Sequence, residues 1–288
     1  TMANQIAIRC ACEPGDEIIC AESTHSFHYE TGAPAALSGA GLHTLDAPRG
    51  VFDGRQVRAA IRPRESHFPR SRMVIVENTN NRGGGNIWPL ERIAEVSEAA
   101  REHDLHLHLD GARLMNACVA RGCGATEFTR FFDSVAMCFS KGLGAPIGSI
   151  IAGSESFIRR AHRFRKMFGG GMRQVGVIAA AALYALEHNI ERLAEDHANA
   201  RRLAEGLAGL PGIRLDPQTV ETNIVVFDID AARLGSADAF AARLEQRGVR
   251  FFAIGPTTCR LVTHMDVDAR GIDRALVEFR AVCNAAGR

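Results

Sequence analysis

Lysine is almost missing from this chain. Of its 34 lysine and arginine residues only Lys141 and Lys166 are lysine, and every other one is arginine. A lysine that merely solvated a surface would be expected to have followed the same drift, so these two positions ask for something arginine cannot supply. Charge imbalance is missing too. The net charge is +1, so nothing points to nucleic acid or an acidic membrane surface. Long apolar runs are absent. The longest, "VGVIAAAALYAL" from Val175 to Leu186, is too short to span a bilayer and is expected to form a buried helix. The opening residues, "TMANQIAIRC", hold neither a basic lead nor a core apolar stretch, so no secretory leader is expected in them. They enter a helix directly and lack an initiator Met, which suggests an N-terminally incomplete chain. Neither close cysteine pair, Cys10/Cys12 or Cys118/Cys123, is followed by a second pair at zinc-ligand spacing. The eight cysteines are expected to be reduced, mostly buried thiols of a cytoplasmic protein.

What is present is a β/α alternation. Strands are expected at 17–22, 72–79, 105–112, 134–140 and 148–154, with helices near 89–103 and after Asp110. This pattern specifies an α/β fold, an open, mostly parallel sheet covered by helices, whose ligands gather at the carboxyl ends of the strands. Asn78, Asn80, Asp110, Arg113, Ser140 and Lys141 fall at such ends. From Glu155 onward the pattern is helical: a basic amphipathic helix, a glycine-rich break at Gly169–Gly171, and a long helix from His188 toward Pro211. A compact α/β tail follows. The expected organisation is a large domain over 1–207 and a small C-terminal α/β domain over 208–288, with no long linker, repeat or low-complexity segment.

Lys141 opens a loop of small residues, "KGLGAPIG", which lets another body approach the backbone closely. A lysine there can bind phosphate, stand in solvent, or form an imine; the last needs an amine that can lose its proton, as arginine cannot. The obvious rival is a dinucleotide loop. "GLGAPIG" is one residue too long for that fingerprint, is interrupted by proline, and leads into a strand where a helix is required. In "HLHLDGARL" the residues His106, His108 and Asp110 share one strand face. For the two histidines an ordinary alternating strand is a better account than metal binding. Asp110 can cap the next helix, or can face a heterocyclic nitrogen. Pyridoxal phosphate needs such a carboxylate to keep its ring nitrogen protonated and electron-withdrawing, and Lys141 at a later strand end completes the requirement.

The longer motifs carry a resemblance. "TMANQ", "YETGAPAALSG", "VENT", "NRGGGNIWPLE", "HLDGARLMNA", "SKGLGAPIGS", "RFRKMFGGGMRQ" and "RLVTH" run almost end to end, in order, as they do in the threonine aldolase members of the aromatic β-eliminating lyase family. These are pyridoxal-phosphate enzymes of the aspartate aminotransferase fold. The resemblance implies that Lys141 forms the imine with the cofactor, and that Ser140 beside it joins the cofactor-binding set. Asp110 would pair with the ring nitrogen, Arg113 would lie near the ring oxygen, and His25 would stack on the ring and serve catalysis. The backbone of Thr1 would meet the phosphate. Lys166 matches a family position near the phosphate, with a neighbouring subunit as one source. Arg173 and Arg260 would hold the substrate carboxylate. No metal is implied.

Taken singly, each of these residues has an ordinary alternative. His25 can cap a helix starting near Tyr29, Arg173 can be a surface charge, Arg260 can lie half-buried in a strand, and the helix carrying Lys166 can be a solvated face. The joint pattern favours the functional reading. Two departures stand out. The family's N-terminal segment with its phosphate-loop Ser-Gly is not present in this sequence. In "ENTNN", Asn80 stands where the family commonly has histidine near the substrate's β-hydroxyl. An amide can hydrogen-bond that hydroxyl but cannot take its proton, so an altered preference between threo and erythro substrates is expected, or a greater reliance on His25 or water as base. The implied activity is retro-aldol cleavage of a β-hydroxy-α-amino acid to glycine and an aldehyde, in a homodimer or homotetramer with shared active sites. The alternatives are β-elimination on the same machinery, or a folded, inactive homologue that serves only as an assembly partner.

Overall fold

The structure, a computed structural model, describes residues 1–285. Packing divides the chain into two units. The first comprises Thr1–Gly83 and Ile87–Ile190, and the second Gly84–Asn86 and the chain from Glu191 onward.

The first unit is a three-layer α/β sandwich. In chain order it contains α1 (Met2–Ala11), β1 (Asp16–Ala21), β2 (Gly41–Leu45), β3 (Arg70–Glu77) and α2 (Leu90–Glu102). It continues with β4 (His106–Gly111), α3 (Leu114–Arg121), β5 (Ser134–Cys138), β6 (Ser149–Gly153), α4 (Glu155–Met167) and α5 (Gly176–His188). The strand order is β2-β1-β3-β4-β5-β6. Five strands run parallel and β6 is antiparallel to β5. The mostly parallel sheet expected from the sequence is therefore present.

Alternation along the strands builds the layers. Ile19, Val74, Val76 and Leu109 face one way, toward Trp88, Ile93 and Val96. Ile18, Met73 and Ile75 face the other way, toward Ile6 and Ile8 of α1 and Phe157 of α4. Burying an aliphatic or aromatic side chain of this size stabilises by about 1.5–3 kcal/mol, so a one-residue slip in any central strand would exchange the two faces and forfeit several such terms. β2 had no counterpart in the sequence reading. It lies at the sheet edge with half-exposed side chains, so it carries little of the apolar signal that marks the central strands.

The second unit contains α6 (Leu193–Ala208), β7 (Ile213–Arg214), β8 (Ile224–Ile229), α7 (Ala237–Glu245), β9 (Phe252–Ala253), β10 (Thr258–Val262) and α8 (Ala269–Ala285). Its antiparallel sheet has the order β7-β8-β10-β9. Phe227, Phe240, Phe251 and Phe279 form its centre, and Leu203 and Leu207 of α6 pack into the same core. α6 therefore belongs with the tail, and the units part at Ile190/Glu191, ahead of the boundary near residue 208 drawn from the sequence. The long helix expected from His188 is also interrupted. Asn189 caps α5, and its side chain donates to Leu143 O at 2.7 Å.

One expectation is reversed outright. The apolar run 175–186 is helical, as α5, but it is not buried. Val177 is 83% exposed, Leu183 57% and Tyr184 61%, and only Ala185 is buried in the helix. Apolar composition identifies a face that wants cover; it does not say that the same chain provides it. Among the described residues no helix is long and apolar enough to cross a membrane. All eight cysteines are free thiols, six of them buried, and burial pushes the Cys20 thiol up to about 12.

Candidate active site

The parallel strands deliver their carboxyl ends to one edge of the first unit. Glu77 ends β3 in register with Asp110 of β4. His25 follows β1, opening the short helix His25–His28 behind Thr24, rather than preceding a helix near Tyr29. Lys141 follows β5 in a folded loop. Phe139 N donates to Gly148 O, Ala145 N to Phe139 O and Gly144 N to Lys141 O. Gly144 and Gly148 take left-handed φ values of 75° and 128°, a conformation that favours glycine. Phe139, Leu143 and Ala145 are buried and anchor the loop so that it presents Lys141.

These ends surround an open cleft lined among others by Thr1, Asn4, His25, Asp110, Arg113 and Lys141. α1 brings its N-terminus to this cleft with Thr1 as N-cap and no acidic residue in its first turn, the electrostatics an anionic group prefers. The structure thus brings together Lys141, Asp110, His25, Arg113 and Thr1. Ser140 is exposed beside Lys141, outside the lining. Lys166, on α4, and Arg173, between α4 and α5, are exposed on the same unit. Arg260 lies half-buried on β10 of the second unit, its guanidinium 5.9 Å from the Phe252 ring.

Asn80 does not line the cleft; its neighbour Asn81 does. The Asn80 carboxamide turns inward, and Oδ1 accepts from Gly83 N at 2.7 Å. It packs where Gly50, at φ 80°, has no Cβ; a Cβ there would strike Asn80 Nδ2 and Ser23 Oγ. The role expected for Asn80 at the substrate hydroxyl therefore finds no support in where its side chain points.

Behind the cleft a polar network joins Asp110 and His25 through Asn4 and Glu30, two residues given no role in the sequence. Asp110 is 3% exposed and accepts from Asn4 Nδ2 at 2.7 Å and Ala112 N at 3.2 Å. The same Asn4 nitrogen donates to Glu30 Oε1 at 2.9 Å. Gln5 donates to Glu30 Oε2, and His25 Nδ1 lies 2.9 Å from Oε1. Burial works to raise the Glu30 carboxyl, but the donors His25, Gln5 and Asn4 outweigh it and hold the group below its ordinary range. On the other side, His108 Nε2 meets Asn4 Oδ1 at 3.3 Å, and Ser134 Oγ bridges His108 Nδ1 and His106 Nε2. Burial, followed by the neighbouring His106, pushes His108 down to about 3, so it is neutral. His106 and His108 are thus more than an alternating strand face. They lie on the side that meets α1, and they reach Asp110 through Asn4.

Glu77, as deeply buried as Asp110, also lines the cleft. It accepts from His25 N at 2.7 Å and Asn81 N at 2.8 Å. Burial, then the charge of Asp110, raises it from 4.5 to about 7. Folding is thus favoured while the carboxyl is protonated in both states, and that contribution is lost as pH rises from about 4.5 through 7. The melting temperature of the wild type is expected to fall across this window more steeply than that of Glu77→Gln; parallel pH profiles would contradict the assignment. "TMANQ", "YETGAPA" and "VENT" contain Asn4, Glu30 and Glu77, so the motifs pointed at the right segments without saying which side chains turn inward.

A family model described as beta-eliminating lyase matches residues 1–230. The chain is 38% identical over 284 residues to low-specificity L-threonine aldolase 1 of Arabidopsis thaliana, spanning 97% of this chain and 79% of that protein. It is 39% identical over 284 residues to the low specificity L-threonine aldolase of Escherichia coli strain K12, spanning 98% and 81%. Among solved structures, Leishmania major threonine aldolase matches with a TM-score of 0.82 at 22% identity, over 98% of this chain and 82% of that one. A Thermus thermophilus aspartate aminotransferase mutant matches with 0.68 at 20% identity, over 98% and 77%. The fold is aspartate-aminotransferase-like.

Proposed function

The chain belongs to the beta-eliminating lyase family, and from that premise we propose that it is a pyridoxal-phosphate enzyme cleaving β-hydroxy-α-amino acids such as threonine and allo-threonine to glycine and an aldehyde. The observation that carries the reading is the meeting of Lys141 and Asp110 on one cleft, in a chain 38–39% identical over nearly its whole length to two threonine aldolases. The residues fit the cofactor. A deprotonatable amine, a buried carboxylate, a guanidinium and an acid-free helix N-terminus are the partners that an aldehyde, a ring nitrogen, a phenolic oxygen and a phosphate require.

Pyridoxal phosphate, when bound, supplies the electron sink for the pair released as the Cα–Cβ bond breaks. Lys141 is the residue to hold it at its aldehyde carbon, because its amine can give up a proton. Asp110 would hold the proton at the ring nitrogen, with the Asn4 and Ala112 donors keeping its carboxylate aimed. Arg113 would serve the ring oxygen, and Thr1 with the first turn of α1 the phosphate. His25 would take the β-hydroxyl proton. Arg173 and Arg260 orient the substrate carboxylate. Incubation with threonine and the cofactor should yield glycine and acetaldehyde; pyruvate and ammonia in their place would favour β-elimination, and the absence of any product would leave an assembly partner.

The exposed face of α5 supports self-association, with a second copy of the chain as its cover. Val177, Leu183 and Tyr184 offer exposed apolar side chains, and Lys166 and Arg173, exposed on the same unit, would serve a site shared between subunits. Val177→Glu combined with Leu183→Glu is expected to convert a dimer or tetramer to monomer in light scattering; an unchanged mass would remove α5 from the interface. The free thiols agree with a cytoplasmic, reducing location.

A further inference from the structure

The hydrogen-bond directions in the buried network are determined by chemistry. Glu30 is held below its ordinary range and is a carboxylate, so it can only accept. The proton between it and His25 therefore sits on His25 Nδ1, and in the neutral ring Nε2 is the nitrogen with a lone pair. Asn4 must turn Nδ2 toward Glu30 and Asp110, because reversing the amide would set its oxygen against two carboxylates. Its Oδ1 then accepts from His108 Nε2–H, which leaves His108 Nδ1 to accept from Ser134 Oγ–H, and Ser134 Oγ to accept from His106 Nε2–H. Every donor in this chain points toward Asp110 or Glu30.

We propose that Glu30 is the positioning residue for His25, keeping its proton on Nδ1 so that Nε2 is the nitrogen able to accept one, and that Asn4, oriented by His108, ties this pair to Asp110. The base and the carboxylate that serves the electron sink are then set by one side-chain network. The inference rests on the reading of His25 as the base, while its first test does not. The reacting heads of His25, Glu30 and Asp110 lie within 4.8 Å of one another. Also facing this cluster are the Thr1 backbone nitrogen, 3.9 Å from Glu30 Oε1, the Asn4 and Gln5 amides on Glu30, the Glu77 carboxyl on the His25 backbone nitrogen, and the Tyr29 ring, 5.5 Å from that of His25. Glu30 is the acceptor at the imidazole Nδ1. Partners that orient a metal-ligating histidine are worth about 10–100-fold where they have been removed, and the tautomer of a proton-transferring histidine is set by the same kind of contact.

Histidine ¹⁵N NMR on the chain without added cofactor decides the first point, with His25 assigned by its loss in His25→Asn. The wild type should show Nδ1 protonated and Nε2 bare. In Glu30→Met, which removes the acceptor at similar length, the proton should move largely to Nε2. With pyridoxal phosphate added, kcat of Glu30→Met should fall on the order of 10²-fold, with KM for the amino acid nearly unchanged. Asn4→Ala leaves Glu30 in place and covers the case in which Glu30→Met does not fold. It should keep the Nδ1 proton and lose about tenfold in kcat. A wild type with its proton on Nε2, a Glu30→Met that keeps it on Nδ1, or variants with kcat within twofold of wild type would overturn the proposal. A wild type that gains no visible absorbance band with pyridoxal phosphate and releases no glycine would refute the reading of the site, while the NMR result would still decide the role of Glu30.

Discussion

Lys141→Arg is expected to abolish turnover as completely as Lys141→Ala, by more than about 10⁴-fold, the scale on which loss of a catalytic nucleophile is felt. Arginine preserves the charge, the reach and most of the packing, and in this chain it is the ordinary choice for a cation. It cannot lose a proton near neutral pH and so cannot serve as an amine nucleophile. Neither variant should develop the visible band that the wild type gains with pyridoxal phosphate. Both should keep the wild-type circular dichroism, because the buried Phe139, Leu143 and Ala145 anchor the loop. Aldehyde release from either variant at the wild-type rate would end the assignment. If Lys141→Arg kept activity while Lys141→Ala lost it, Lys141 would be a cationic phosphate binder, and the scarcity of lysine would need another explanation.

Asp110→Asn should lower kcat on the order of 10³-fold, the upper range for deleting one preorganised electrostatic partner. The side chain keeps its size, so the effect isolates charge. A neutral amide does not hold a proton on a ring nitrogen. It also presents an NH₂ to either Asn4 Nδ2 or Ala112 N, which both donate, so one hydrogen bond is lost at about 1 kcal/mol of stability. The large kinetic loss beside a small thermal one is the signature to look for. A variant with full kcat would mean that Asp110 is only the cap of the turn it opens.

What is legible in the chain is what has a local signal. The strands around Ile18, Val74 and Leu109 declare themselves by unbroken apolar character, and the loop after Lys141 by its small residues. The dinucleotide alternative fell to a proline and one extra residue. Glu30 and Glu77 were inside recognised motifs, yet a carboxylate in a motif reads the same whether it faces solvent or a buried imidazole. The Asn4–Asp110 bond joins residues 106 positions apart, and no pattern of spacing predicts it. Asn80 and Asn81 show the limit at its finest. They are identical neighbours, and only the Gly83 hydrogen bond and the space beside Gly50 decide which of them faces the cleft.

By itself the sequence determined the α/β architecture and the family, and singled out Lys141 and Asp110, because alternation, turn residues and motif order are local properties of a chain. Tertiary structure alone decided that α5 lies uncovered, that α6 belongs to the second unit, and that Asp110, Asn4, Glu30 and His25 form one network. Burial, hydrogen-bond partners and protonation depend on what packs against a residue from distant parts of the chain, and that information exists only once the layers have closed.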